Sequence, residues 1–134
     1  MPPILELQGV KKAFGAVVVA DDQSWSLAPG EALGVIGPNG AGKTSMFNLV
    51  TGTLSTDAGQ VRLDGQDITG WSAAKRCRAG IARSFQVPQP FIHMTVFENA
   101  YVAATQGAGL SGRAAEAPLT SVAAAFAQWP GLTA

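Results

Sequence analysis

An excess of charge of either sign is missing: nine Lys and Arg balance nine Asp and Glu over 134 residues. No global field draws such a chain to nucleic acid or to an anionic membrane surface, so any phosphate binding must be local. Cysteine is reduced to Cys77, which excludes an intramolecular disulfide and suits a reducing, cytoplasmic compartment. Histidine is reduced to His93, and one histidine with one distant cysteine cannot build a zinc site. No apolar run reaches the roughly eighteen residues of a membrane span, and "MPPILELQGV" lacks the basic start and long apolar stretch of a signal peptide. Neither a span nor a leader is expected. What is plentiful is apolar content, 47% against 13% charged, which predicts one packed globular domain.

Along the chain, "ILELQGVKKAF" alternates and "AVVVADDQSWSL" is rich in β-branched and aromatic residues, with Gly15 between them. The pair predicts a hairpin. "APGE" at 28–31 is a turn, and "ALGVI" after it reads as a short strand buried on both faces. Met46, Phe47, Leu49 and Val50 then fit a helix over 44–51 that stops at Gly52. "STDAGQ" is a turn, "VRLDGQDI" a strand with a tight Asp-Gly turn, "WSAAKRCRAG" a short helix from Ser72 to Gly80, and "IARSFQ" another strand. Thr95 and Glu98 form a capping box before a helix. From Ala114 onward eight of 21 residues are alanine and only Glu116 is charged, so periodicity says little there.

The chemistry concentrates in "GPNGAGKT". Gly37, Gly42, Lys43 and Thr44 satisfy G-x-x-x-x-G-K-[ST], and Gly40 adds a third glycine. Glycines let the backbone curl so that successive N–H groups point inward, and the following helix start adds its positive end. Lys43 brings a point charge for β- and γ-phosphates, and the Thr44 hydroxyl can ligate Mg²⁺. A merely tight glycine turn does not explain a lysine at the helix mouth, where its charge opposes the dipole. The pattern is that of a triphosphate cradle.

The stretch "GEALGVIGPNGAGKTSMFNLVTG" resembles the Walker A region of ATP-binding cassette (ABC) proteins. "KKAFG" resembles their A-loop, with Phe14 in place of the more usual tyrosine, and "ARSFQVPQPF" their Q-loop. "GIARSFQ" followed by "MTVFENAYVA" looks most like the ATP-binding subunits of branched-chain amino acid importers, the likeness running from about Leu5 to Ala104. The resemblance implies that Gly37, Asn39, Gly40, Ala41, Gly42, Lys43, Thr44 and Ser45 hold ATP. It also implies that Phe14 stacks on the adenine, and that Gln86 contacts Mg²⁺ beside Thr44 and the attacking water. By position alone Phe14 is an ordinary strand-end side chain and Gln86 an ordinary polar loop residue.

Other parts of such a machine are not found. "VVVADD" at 17–22 precedes the glycine loop, whereas a Walker B strand lies far downstream of it, so Asp21-Asp22 read as a strand-ending turn. "GLSGR" at 109–113 lacks the second glycine and the glutamine of an LSGGQ signature and reads as a linker. His93 is not where the switch histidine of a full cassette would be. "DITG" at 67–70 comes too soon after Lys43 for a GTPase, and no N-K-x-D follows. Lys75, Arg76 and Arg78 read as a solvated helix face.

The expected fold is α/β: an ABC-type P-loop NTPase core with an N-terminal antiparallel β subdomain and an incomplete parallel sheet. Residues 1–95 would be the N-terminal part of the ATP-binding domain through the Q-loop, 96–113 the start of a helical subdomain, and 114–134 an alanine-rich tail. The expected function is ATP binding within an importer, at the inner face of the cell membrane. Its partners would be membrane subunits and a second ATP-binding subunit, with no nucleic acid. The alternative is a truncated or frameshifted fragment that binds nucleotide without hydrolysis, and a third reading is another P-loop NTPase. Hydrolysis itself is left open, because the family is an ATP hydrolase while Walker B, signature motif and switch histidine are missing here.

Overall fold

The computed structural model describes residues 2–107 and 109, apart from Asn39 and Gln86, and divides the chain into two units, Met1–Arg76 and Cys77–Ala134. In the first, the alternating stretches form the expected hairpin, β1 (Leu5–Phe14) and β2 (Val17–Leu27). They pair antiparallel from Leu5↔Leu27 to Phe14↔Val17, which leaves a two-residue turn. Gly15, at φ +59°, supplies the positive φ that a glycine-first hairpin turn demands.

On the other edge of β1 lies β3 (Ala58–Leu63), antiparallel with Leu7 opposite Val61, and outside it β4 (Gln66–Asp67). The sheet order is β2-β1-β3-β4. Asp64 and Gly65 turn β3 into β4 with φ of 48° and 76°, the two left-handed residues that an Asp-Gly hairpin turn needs. Both ladders of β1 slip around Gly9. There Gly59, at φ +84°, passes so close to β1 that a Cβ would collide with the Gly9 carbonyl.

Leu7, Val10, Ala20 and Val61 of the sheet are buried together with Ile68 and with Leu49 and Val50 of helix α1 (Lys43–Thr51). Burying each of the larger side chains contributes about 1.5–3 kcal/mol. Helix α1 begins one residue earlier than its pattern predicts and ends at Gly52, a left-handed cap with φ of 82°. Helix α2 (Ala73–Arg78) starts where Ser72 Oγ accepts the Lys75 amide at 3.2 Å, as its sequence predicts.

Three expectations are corrected. "ALGVI" forms no strand: residues 31–38 carry no regular element, and Ile36 is 99% exposed. Its composition suits a sheet interior with neighbours on both sides, and among the described residues no strand pairs with it. "IARSF" is likewise without strand structure. Asp21 and Asp22 do not end a strand but lie within β2, Asp22 at φ 49° where the β1 pairing slips. Aspartate tolerates the left-handed region, so a bulge replaces the turn.

In the second unit, α3 (Val96–Val102) opens on the predicted capping box. The Glu98 amide donates to Thr95 Oγ1 at 3.1 Å, and the Thr95 amide donates to Glu98 Oε2 at 2.7 Å. Asn99 holds the preceding loop: its Oδ1 accepts the Phe91 amide at 2.8 Å and its Nδ2 donates to the Phe91, Met94 and Thr95 carbonyls. A π-helical turn, Ala103–Gly107, continues α3. The predicted tail over 114–134 and all of "GLSGR" but its first glycine lie outside the described residues.

Candidate nucleotide-binding site

Two glycines shape the loop. Gly40 and Gly42 have φ of 84° and 91°, and a Cβ on Gly42 would be 2.5 Å from the carbonyl oxygen of Val19 in β2. Only glycine fits there on both counts, and the contact seats the start of α1 against the hairpin. Inside the loop the Ala41 amide donates to the Pro38 carbonyl at 3.2 Å.

Lys43 is the first residue of α1, and its ammonium folds back over the loop. Nζ donates to the carbonyl oxygens of Gly37 and, at 2.8 Å, of Pro38. Thr44, exposed, and Ser45, half-buried, follow in the first helical turn. No side chain caps this helix, so the first-turn N–H groups are left for a ligand, and the helix dipole favours an anion there. Chain continuity alone thus brings together Gly37, Gly40, Ala41, Gly42, Lys43, Thr44 and Ser45. Amide donors, one ammonium and two hydroxyls suit a polyphosphate and a metal that it carries. Asn39 and Gln86 lie outside the described residues.

Phe14 ends β1, opposite Val17, and is 53% exposed. Val17 stands two residues before Val19, roughly 7 Å along the strand, so the aromatic ring and the glycine loop share one end of the hairpin. Lys12 Nζ lies 5.3 Å from the centre of the Phe14 ring and 2.9 Å from Asp57 Oδ1. Sequence reading did not find this arrangement, because Lys12 and Asp57 are 45 residues apart and carry no local pattern.

Arg76 corrects the reading of a solvated basic face. Lys75 does lie outside, its Nζ 3.9 Å from the centre of the Trp71 ring, and Arg78 is exposed. The Arg76 side chain is instead 2% exposed and donates to four carbonyls: Leu49 at 2.8 Å, Val50 at 3.0 Å, Thr69 at 2.9 Å and Trp71 at 3.2 Å. Burial pushes its pKa down, and the charge of Asp67 works against that. Two of the carbonyls belong to the last turn of α1, so the cation closes the negative end of the helix that starts at the glycine loop.

Comparison with known proteins finds relatives for most of the chain. The sequence model of the ABC transporter family matches residues 20–131, past Ala104, where the likeness read from motifs ended. The chain is 42% identical, over 96 residues and 72% of its length, to a probable branched-chain amino acid transport ATP-binding protein, LivG, of Methanocaldococcus jannaschii. It is 40% identical over 101 residues to the high-affinity branched-chain amino acid transport ATP-binding protein BraF of Pseudomonas aeruginosa. These alignments take in 37% and 40% of the two relatives, so the chain spans well under half of their length. Among solved structures, a nucleotide-free ATP-binding cassette from an ABC transporter superposes with a TM-score of 0.70 at 35% identity, covering 98% of this chain and 49% of that one. A cassette in its ADP conformation gives 0.70 at 34% identity, covering 100% and 49%. With its glycine loop, its antiparallel subdomain and this match over most of its length, the chain belongs to the ABC transporter family.

Proposed function

We propose that the chain binds ATP with Mg²⁺ at the 37–45 loop and serves in the ATP-binding subunit of an importer, with branched-chain amino acids as the transported class. The observation that supports this best is the uncapped start of α1, with the Lys43 ammonium folded over the Gly37 and Pro38 carbonyls. A triphosphate offers that ammonium better acceptors than two peptide carbonyls, since its oxygens carry net negative charge and add Coulomb attraction to the hydrogen bonds. The first-turn amides would take the phosphate oxygens, and Thr44 Oγ1 would ligate the metal. Phe14 would stack on the adenine, and Gln86 would meet metal and water. Mg²⁺ held by Thr44 would neutralise charge on the phosphates.

Membrane subunits and a second ATP-binding subunit are the proposed partners, at the inner face of the membrane; among the described residues no helix is long and apolar enough to cross it. The function assigned to these residues by themselves is binding rather than turnover. The one acidic pair that follows an apolar run, Asp21-Asp22, is built into a bulge of β2. Lys43→Ala should weaken MgATP binding by one to two decades, the scale of about 1.5–3 kcal/mol for a charged hydrogen bond, in titration calorimetry. An unchanged affinity would refute the phosphate cradle.

A further inference from the structure

Asp57 reaches β1 with three hydrogen bonds. Its amide donates to the Lys11 carbonyl at 2.8 Å, its Oδ1 accepts from Lys12 Nζ at 2.9 Å, and its Oδ2 accepts the Ala13 amide at 2.8 Å. Three consecutive residues are thereby fixed immediately before Phe14. The Ala13 amide and the Lys12 ammonium lower the pKa of the Asp57 carboxyl, because both favour its charged form.

Lys12 and Phe14 are two residues apart on one strand and share a face of the sheet. The ammonium, 5.3 Å from the ring centre, lies within cation–π reach and occupies one side of the ring. Only 12% of the Lys12 side chain is exposed, so it is held between carboxylate and ring rather than waving in solvent. Phe14 nevertheless keeps 53% exposure, so it is not enclosed by the protein.

We propose that Lys12 and Asp57 are positioning residues for base recognition: the Asp57-held ammonium covers one face of Phe14 and leaves the other as the single stacking surface for a purine. This rests on the reading of Phe14 as the base platform. The device separates two tasks, since the glycine loop reads the phosphates whatever the base, while the clamped ring reads the base alone. Stacking on a ring already held in place spares the entropy of ordering it.

The test compares the 134-residue chain with Phe14→Ala, Lys12→Met and Asp57→Asn, and with the double variant Lys12→Met/Phe14→Ala. Methionine keeps the lysine stem, and asparagine keeps an oxygen for the Ala13 amide, so both should fold; melting curves check this. Affinities for MgATP and for magnesium tripolyphosphate, which has no base, are measured well below the melting temperature. Phe14→Ala should weaken MgATP by about fivefold or more and leave tripolyphosphate unchanged. Lys12→Met and Asp57→Asn should weaken MgATP about two- to fivefold, again without touching tripolyphosphate. In the Phe14→Ala background Lys12→Met should have no further effect. If Phe14→Ala leaves MgATP unchanged, the base-platform reading fails and this inference with it. If Phe14→Ala weakens MgATP but Lys12→Met does not, or weakens both ligands alike, the inference alone is overturned, because Lys12 is then a bystander or a general phosphate attractor.

Discussion

Arg76 donates from Nη1 to the carbonyl oxygen of Leu49 at 2.8 Å, so a side chain from α2 closes the far end of the helix that begins at the glycine loop. The same guanidinium excludes a side chain at Gly52, where a Cβ would lie 2.9 Å from Arg76 Nε and 3.0 Å from its Cδ. Removing Arg76 leaves four carbonyls without their donor, two of them in the last turn of α1. Arg76→Ala should cost on the order of 3 kcal/mol in denaturant unfolding, about one strong charged hydrogen bond beyond what water replaces. Gly52→Ala should cost about 1–2 kcal/mol through its φ of +82° and the crowding. Because both changes act on one contact, the double variant should lose less than the sum of the two. Strict additivity would show that the two residues do not share a contact.

Gly42 is the second sensitive point. A methyl group there meets the Val19 carbonyl at 2.5 Å, on a backbone already at φ +91°. Gly42→Ala should therefore displace the start of α1 from β2, lowering both the melting temperature and the affinity for MgATP. Gly40→Ala, with nothing within 4 Å of its Cβ, meets only the strain of φ +84° and should be milder in melting experiments. Equal effects of the two would mean that the Val19 contact does not position the loop.

What the sequence made legible follows from the range of the forces involved. The glycine loop, the Gly52 cap, the Asp64-Gly65 turn and the Thr95–Glu98 box are each set within a few residues, and each could be read locally. Arg76 could not, because its partners Leu49 and Val50 are 27 and 26 residues away and a basic triplet on a short helix looks like solvated surface. Lys12 and Asp57 escaped for the same reason. "ALGVI" was misread in the opposite sense: its pattern records the burial that neighbouring strands would give it, and among the described residues no such ladder forms. Hydrophobicity states what a segment tolerates, while pairing needs a partner.

Among the described residues three carboxylates have their pKa lowered, each by hydrogen bonds that favour the charged form. Asp57 is lowered first by the Ala13 amide and then by Lys12, Asp67 by the Thr69 hydroxyl and then its amide, and Glu98 by the Thr95 amide and then its hydroxyl. A folded pKa below the unfolded value means that the stabilisation is fully present above the unfolded value and is lost as pH falls through the folded one. The melting temperature should therefore be insensitive to these groups near neutrality and fall as pH drops below about 4–5. All three are at the surface, so the slope should be modest and should flatten with salt for the Lys12–Asp57 pair. A melting temperature that rises between about pH 5 and pH 3 would contradict the assignment.

Leu49 and Ile36 are both large aliphatic residues, yet their burial differs completely, 0% exposed against 99%. Leu49 lies in the core formed with Leu7, Val10 and Val61, while Ile36 directly precedes Gly37 and projects into solvent. Truncating Leu49 to alanine removes buried methyl groups and leaves a cavity, which should cost about 2–5 kcal/mol. Replacing Ile36 with serine removes no buried surface and should change stability by no more than about 0.5 kcal/mol. It also interrupts the exposed apolar segment of Leu33, Val35 and Ile36, so the variant should stay monodisperse at higher concentration in light scattering. A large loss of stability in Ile36→Ser would mean that this segment is packed in solution, with the parallel strand formed after all.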